Sequence, residues 1–360
     1  MKKSIIIGLI VLVAGAFLYY TFFKEEEFEG KYAEFEFVQD NLAMHVGETI
    51  ELKVSVDYDG IEELQLLLND RPIKTWKSPK KGQVTYSMKG TDELMGTHKL
   101  SLRAIGEDRE TGDYRSLRIL SDIIPQIAKA EVMETFPHDP TSYTQGLEFY
   151  NGKLFEGTGD PGRQGKTMIG EIDRSTGKHI EGRRIGLDAN YFGEGITILN
   201  DKVYQLTWKK GKCFVYDVND FMSRVEEFNY AGDGWGLCND GTSLIMSDGT
   251  ERITFRNPKD FAVERVINVY NDLGPIPQLN ELEYINGLIY ANVYLQNFII
   301  VIDPKTGKVV QQISAEQLAK NYQGRGEVLN GIAYNPETKK MIVTGKYWDK
   351  YLEVKVTPVE

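Results

Sequence analysis

The chain has 360 residues, 41% hydrophobic and 26% charged, which is the balance of an ordered globular protein with room for about two domains. Its formal net charge of −11 leaves no basic excess to neutralise phosphates, so nucleic acid and anionic membrane surfaces are poor partners. The four histidines (His45, His98, His138, His179) and two cysteines are scattered, with no zinc-ligand spacing. Cys213 and Cys238 read as small buried residues, with pairing in an oxidising compartment as the alternative.

In chain order, the first element is a charge-free run from Ser4 to Phe23 behind Lys2 and Lys3, about the length that spans a bilayer. Ala14-Gly15-Ala16 offers a signal-peptidase site, but the apolar run continues past it through "FLYYTFF". The expectation is an uncleaved anchor over residues 4–23, with the positive flank in the cytoplasm and the rest exported to the periplasm or cell surface.

Residues from about 32 to 120 show short alternating strands. In "GETIELKVSVDYDG", Ile50, Leu52, Val54 and Val56 share one face. "LQLLLNDRPIKTW" reads as a hairpin around Asn69-Asp70, and "THKLSLRAIGED" and "YRSLRIL" follow. About seven strands without a helical stretch suggest an immunoglobulin-like sandwich, and no catalytic constellation lies in it. "SDIIPQIAKAEV" reads as a linker with a proline stop.

The second half carries an internal repeat. Segments opening at Gln145, Glu194, Trp235, Asn280 and Asn330 each give a short apolar strand, an Asn/Asp/Gly turn and a second apolar strand. Their spacings are 49, 41, 45 and 50 residues, the period of a four-stranded propeller blade. "SAEQLAKNYQG" (314–324) reads as a helical insertion before the last repeat. The expected fold class is therefore all-β: residues 1–27 signal or transmembrane anchor, 28–124 immunoglobulin-like β-sandwich, 125–360 five-bladed β-propeller.

Repeats around a common axis bring equivalent positions together. The strand-opening residues form one ring and the residues closing the second strands (Thr158, Trp208, Asp248, Tyr294, Lys346) form another. Tryptophans and a lysine at strand ends suit a small-molecule pocket. No histidine enters the rings and no Ser or Cys sits beside a base, which leaves a nucleophilic triad unsupported. Glu194 among aromatic rings would have a raised pKa and suit proton transfer. Lys346 could bind a developing oxyanion or hold Glu194 ionised. The flanking glycines of "FGEG" are expected to let the backbone bend tightly.

"YTQGLEF", "LFEGTG", "FGEGITIL", "VYQLTW", "GDGWGL", "SDGT", "LNELEY", "LNGIAY" and "TGKYW" resemble the plant-type glutaminyl-peptide cyclotransferases and their bacterial relatives over residues 130–357. The resemblance implies cyclisation of N-terminal glutamine to pyroglutamate with release of ammonia, on a five-bladed propeller. It implies Glu194 as general acid/base, with Lys346 beside it in the catalytic set. Gln145 and Asn280 match the family's polar pocket residues, and Trp208 and Trp235 its aromatic walls. Tyr143 and Phe192 line the same mouth. Tyr294 stands where plant members carry tryptophan, which puts substrate preference in doubt. Asn330 is a further substrate-binding candidate, with a turn-forming role as the alternative. No metal or other cofactor is required by this chemistry, and a structural ion in the channel is left open. The expected partners are peptides or proteins with N-terminal glutamine, and the expected state is a monomer. A non-enzymatic propeller binding peptide N-termini or glycans is the alternative, and a metal-dependent propeller lactonase or lyase is a third reading.

Overall fold

The computed structural model describes residues 29–37, 41–162 and 166–359. The anchor expected at residues 4–23 lies outside them, and among the described residues no helix is long and apolar enough to cross a membrane. The described residues are all-β apart from short helical pieces such as the helix Glu316–Tyr322. It divides into two compact units.

The first unit takes in the chain up to Leu42, Ile50–Met88 and His98–Leu117. Strand Thr49–Val56 buries Leu52, Val54 and Val56 and exposes Thr49, Glu51 and Lys53, as its alternation demands. Strands Ile61–Leu68 and Arg71–Lys77 join through Asn69 and Asp70 at φ 49° and 62°, the left-handed pair of a two-residue hairpin turn.

The second unit consists of Ala43–Thr49, Lys89–Thr97 and Arg118–Glu360. Three four-stranded antiparallel sheets follow one another, each built of consecutive strands. They begin at Tyr143–Tyr150, Gly193–Leu199 and Leu237–Asn239. The remaining strands form one eight-stranded sheet. Its members are Leu279–Ile285, Leu288–Val293, Phe298–Ile302 and Val309–Ser314, then Gln126–Pro137, then Lys350–Pro358, Lys340–Gly345 and Leu329–Asn335. Gln126–Pro137 pairs parallel to Val309–Ser314 on one side and antiparallel to Lys350–Pro358 on the other. The segment read as a linker is thus in large part a strand. Its pairing partners lie more than 180 residues downstream, so no local pattern marks it.

The first hairpins close on left-handed Asn-Gly or Asn-Asp pairs: Asn151-Gly152, Asn200-Asp201 and Asn286-Gly287. The first strands contact one another in order and the last, Leu329–Asn335, returns to Tyr143–Tyr150. Buried carboxylates stitch them laterally. Glu148 accepts the backbone N–H of Ile198 at 3.0 Å. Glu281 accepts those of Leu147 at 3.2 Å and Ile332 at 2.8 Å, and Glu283 that of Tyr334 at 2.8 Å. Strand Gly193–Leu199 is consequently buried at every position, and its alternation carries no exposed face.

Both cysteines are free and buried, so no disulfide joins Cys213 to Cys238. Burial pushes both thiols up, which keeps them protonated and inert.

Candidate active site

Four of the five strand-opening residues sit at a one-residue register slip. In each case one extra residue on the first strand faces the second strand. The slips fall at Gln145, across Glu194-Gly195, across Asn280-Glu281 and across Asn330-Gly331. A bulge bends its strand and re-aims a side chain. The same slip recurring in four sheets places those four residues at equivalent points. The second set of positions is equivalent too. The backbone N–H of Trp208, Tyr294 and Lys346 donates to the carbonyl of Phe192, Gln278 and Val328 respectively, at 3.0, 2.9 and 2.9 Å. Each acceptor lies two residues before its strand's slip.

The glycines beside Glu194 serve close approach and not bending. Neither has a left-handed φ. A Cβ on Gly195 would come within 2.4 Å of the Leu237 backbone nitrogen and 2.7 Å of the Trp235 carbonyl oxygen. Gly195 N–H donates to that carbonyl at 2.7 Å, which ties the Glu194 bulge to the next sheet.

These positions surround a cavity of about 650 Å³, in the range that holds a small organic ligand. Its walls include Glu194, Lys346, Gln145 and Asn280. Its aromatic lining is Tyr143, Phe192, Trp208, Trp235 and Tyr294. The rings meet edge to face: Phe192 with Trp208 at 5.6 Å, Tyr143 with Phe192 at 6.0 Å, and Trp235 with Tyr294 at 5.6 Å between centroids. Of the expected site residues, Asn330 does not line the cavity. It lies behind Gln145, and its Nδ2 donates to Gln145 Oε1 at 3.3 Å and to the Thr144 carbonyl at 2.9 Å. Thr158 and Asp248 from the second ring are also outside the lining. Thr158 bonds Met168 across its own sheet, and Asp248 accepts from Thr250 in a turn. The sequence reading missed Asp160, Pro161, Ala189, Asn190, Tyr191, Lys209 and Lys210, which complete the wall. Adjacency to Trp208 was the only available signal for the two lysines.

Burial drives the charges of the site toward neutrality. It pushes the Glu194 carboxyl well above the usual range, against the pull of the Lys346 charge and with some help from Asp233. It brings the Lys346 amine down to about 8, although Glu194 and Glu327 favour its charged form. No ion pair within 4.0 Å joins Glu194 and Lys346 among the described residues. The Lys346 ammonium lies over the Tyr143 ring at 4.5 Å and the Tyr294 ring at 5.3 Å. Trp235 Nε1 and Asn280 Oδ1 are buried without a hydrogen-bond partner. One is a donor and one an acceptor, and such groups cost free energy until a ligand satisfies them.

Behind this floor lies a buried clasp. Thr344 Oγ1 donates its single proton to the Lys350 carbonyl at 2.8 Å, so His138 Nδ1, 3.1 Å away, must be the donor in their contact. Glu156 accepts from Thr144 Oγ1 at 2.6 Å, His138 Nε2 at 2.9 Å and Tyr351 Oη at 3.1 Å. Burial opposes ionisation of Glu156, but His138, His179 and these donors outweigh it and hold the carboxyl at about 2. The His138 ring is thus held between Glu156 and Thr344 through both of its nitrogens. Thr144 precedes Gln145 and Thr344 lies two residues before Lys346, so the clasp fixes two cavity residues. Among the described residues no group of three or more His, Cys, Asp or Glu is placed to hold a metal ion.

A deep, aromatic-walled cavity with a buried carboxyl, a buried amine and unpaired polar groups defines a protein with the equipment to bind and transform a small polar group. Residues 114–356 match the family model described as glutamine cyclotransferase. Over 242 residues the chain is 37% identical to the glutaminyl-peptide cyclotransferase of Arabidopsis thaliana, covering 65% of this chain and 73% of that protein. The crystal structure of Myxococcus xanthus glutaminyl cyclase is similar with a TM-score of 0.60 and 33% identity, covering 66% of this chain and all of that one. The chain belongs to the glutamine cyclotransferase family.

Proposed function

We propose that this protein is a glutaminyl-peptide cyclotransferase, converting the N-terminal glutamine of peptides to pyroglutamate with release of ammonia. The observation that carries the reading is the placement, in one aromatic-walled cavity, of a carboxyl driven up by burial with a buried amine and two amide side chains, Gln145 and Asn280. The neutral α-amine of the substrate attacks its own side-chain amide carbon. A new N–C bond forms and the amide oxygen takes up negative charge. Glu194 acts in its ionised form, beside the Lys346 charge that favours it, and its raised affinity for a proton makes it the stronger base. It accepts the proton shed by the attacking nitrogen and returns it to the departing amide nitrogen, which leaves as ammonia when its C–N bond breaks. Lys346 and the Trp235 N–H are the donors available to the oxyanion, and Asn280 Oδ1 accepts from a substrate N–H. Gln145, steadied by Asn330, and the rings of Tyr143, Phe192, Trp208 and Tyr294 keep the substrate folded on itself. That pre-organisation supplies much of the rate in an intramolecular reaction.

In this reading the second unit is a five-bladed propeller, with Gln126–Pro137 as the outer strand of the last blade, and the first unit is an immunoglobulin-like sandwich. No cofactor takes part. The protein is a monomer, exported and tethered by residues 4–23. Support for the tether is the lysine-flanked apolar run alone. The test is incubation of the full chain with a glutamine-initiated dipeptide, with ammonia measured with and without a chelator. Release that survives the chelator and falls at least about a hundredfold in Glu194→Gln is expected. Absence of turnover in the wild type, or full activity of Glu194→Gln, would sink the reading. Loss with the chelator would instead favour metal-dependent chemistry.

A further inference from the structure

Most non-glycine residues with a left-handed φ are short polar residues or a lysine at hairpins and strand ends, where that conformation is ordinary. Four are bulkier: Phe261 at 61°, Gln278 at 63°, Leu295 at 66° and Tyr347 at 61°. Phe261 is buried in the core against Phe228 and Tyr230. The other three lie beside the cavity. Gln278 is two residues before Asn280, Leu295 follows Tyr294, and Tyr347 follows Lys346. Leu295 and Tyr347 each occupy the third position of a four-residue turn. Gln296 N–H returns to the Val293 carbonyl at 3.0 Å, and Trp348 N–H to the Gly345 carbonyl at 3.1 Å. The equivalent position in the third sheet is Gly249, also left-handed at φ 81°. Glycine is the residue such a position ordinarily takes.

Two of the three equivalent turns therefore carry a large side chain where glycine would be unstrained. Bulky residues persist in this conformation chiefly where function uses the side chain. Leu295 is 60% exposed, so it does not repay the strain by burial in the free protein. Tyr347 packs against Tyr143, which lines the cavity, with ring centroids 5.1 Å apart and planes tilted by 59°, and it senses the charge of Asp160 in the same wall. The cavity itself is several times larger than one glutamine residue.

We infer that Leu295 and Tyr347 are specificity-determining residues that receive apolar side chains from the peptide positions following the N-terminal glutamine. This inference rests on the cyclase reading. Gln278 supports the arrangement, because its carbonyl accepts the Tyr294 N–H at 2.9 Å and its N–H donates to the Gly249 carbonyl at 3.0 Å.

The test compares the full chain with Leu295→Gly, Leu295→Asn and Tyr347→Gly on Gln-Leu-Phe-amide, Gln-Ser-Ser-amide and glutamine amide, with ammonia release giving kcat/KM. The wild type should prefer the apolar peptide over the seryl peptide by about tenfold, the scale of apolar-pocket discrimination. Each variant should lose most of that preference while its melting temperature stays at or above that of the wild type, since glycine and asparagine take the left-handed conformation readily. An unchanged preference, an equal fall on all three substrates, or a lost preference accompanied by a lower melting temperature in both Leu295 variants would overturn the inference. Wild-type protein that releases no ammonia from any of the three would overturn the cyclase reading, and this inference with it.

Discussion

Replacing Glu156 by glutamine removes the buried carboxylate that accepts from His138, Thr144 and Tyr351. The magnitude follows from the geometry. Glu156 is held at about 2 against an ordinary value of 4.5, a difference worth about 3 kcal/mol at neutral pH. Breaking a buried pair by removing one partner costs about 3–5 kcal/mol, which agrees. The sign is that of a depressed carboxylate: its contribution is complete above pH 4.5 and lost as pH falls toward 2. Urea titration of the full chain at pH 7, followed by tryptophan fluorescence, is the assay. Trp208, Trp235 and Trp348 report on the second unit and Trp76 on the first. Glu156→Gln should lower the unfolding free energy of the second unit by about 3 kcal/mol, seen as a lower urea midpoint. The gap between wild type and variant should narrow at pH 3. The double variant with His138→Gln should recover part of the loss, giving a coupling energy of at least about 1.5 kcal/mol. A single-variant loss below about 1 kcal/mol, or strict additivity, would refute the stabilising role of the Glu156–His138 contact.

Two further outcomes follow from the packing of the first strands. Burial raises the Glu148 carboxyl to about 8, against its hydrogen bonds from Thr197, Ile198 and Asn239. Its raised value makes stability complete below pH 4.5 and progressively lost as pH rises through 8, so Glu148→Gln should flatten the wild-type decline between pH 5 and 8 in denaturation curves. Equal slopes would show that Glu148 is not the group responsible. Gly195→Ala should cost about 1–3 kcal/mol by calorimetry, because the new Cβ meets the Leu237 backbone at 2.4 Å. A neutral effect would mean that the neighbouring sheet yields at that contact.

Local pattern carried much of this molecule into view. Alternation marked Leu52, Val54 and Val56 as one face, and Asn-Asp and Asn-Gly pairs marked the hairpins, because both depend only on residues near in sequence. The repeat period aligned Gln145, Glu194, Trp235 and Asn280 before any contact was visible, and all four line the cavity. It also misplaced Asn330, since periodicity assigns a position in the strand but not the direction in which a bulge aims the side chain.

What the amino-acid order determined alone was therefore the strand set, the turn chemistry and the equivalence of the repeats. Tertiary structure decided the rest. The close approach at Gly195, the strand role of Gln126–Pro137, the inward carboxylates Glu148, Glu281 and Glu283, and the hydrogen bonds of His138 all depend on partners distant in the chain. His138 and Thr344, which meet in the buried clasp, are 206 residues apart in the chain. Hydrogen-bond inventory and desolvation are properties of what surrounds a group in space, and no window of sequence contains that surrounding.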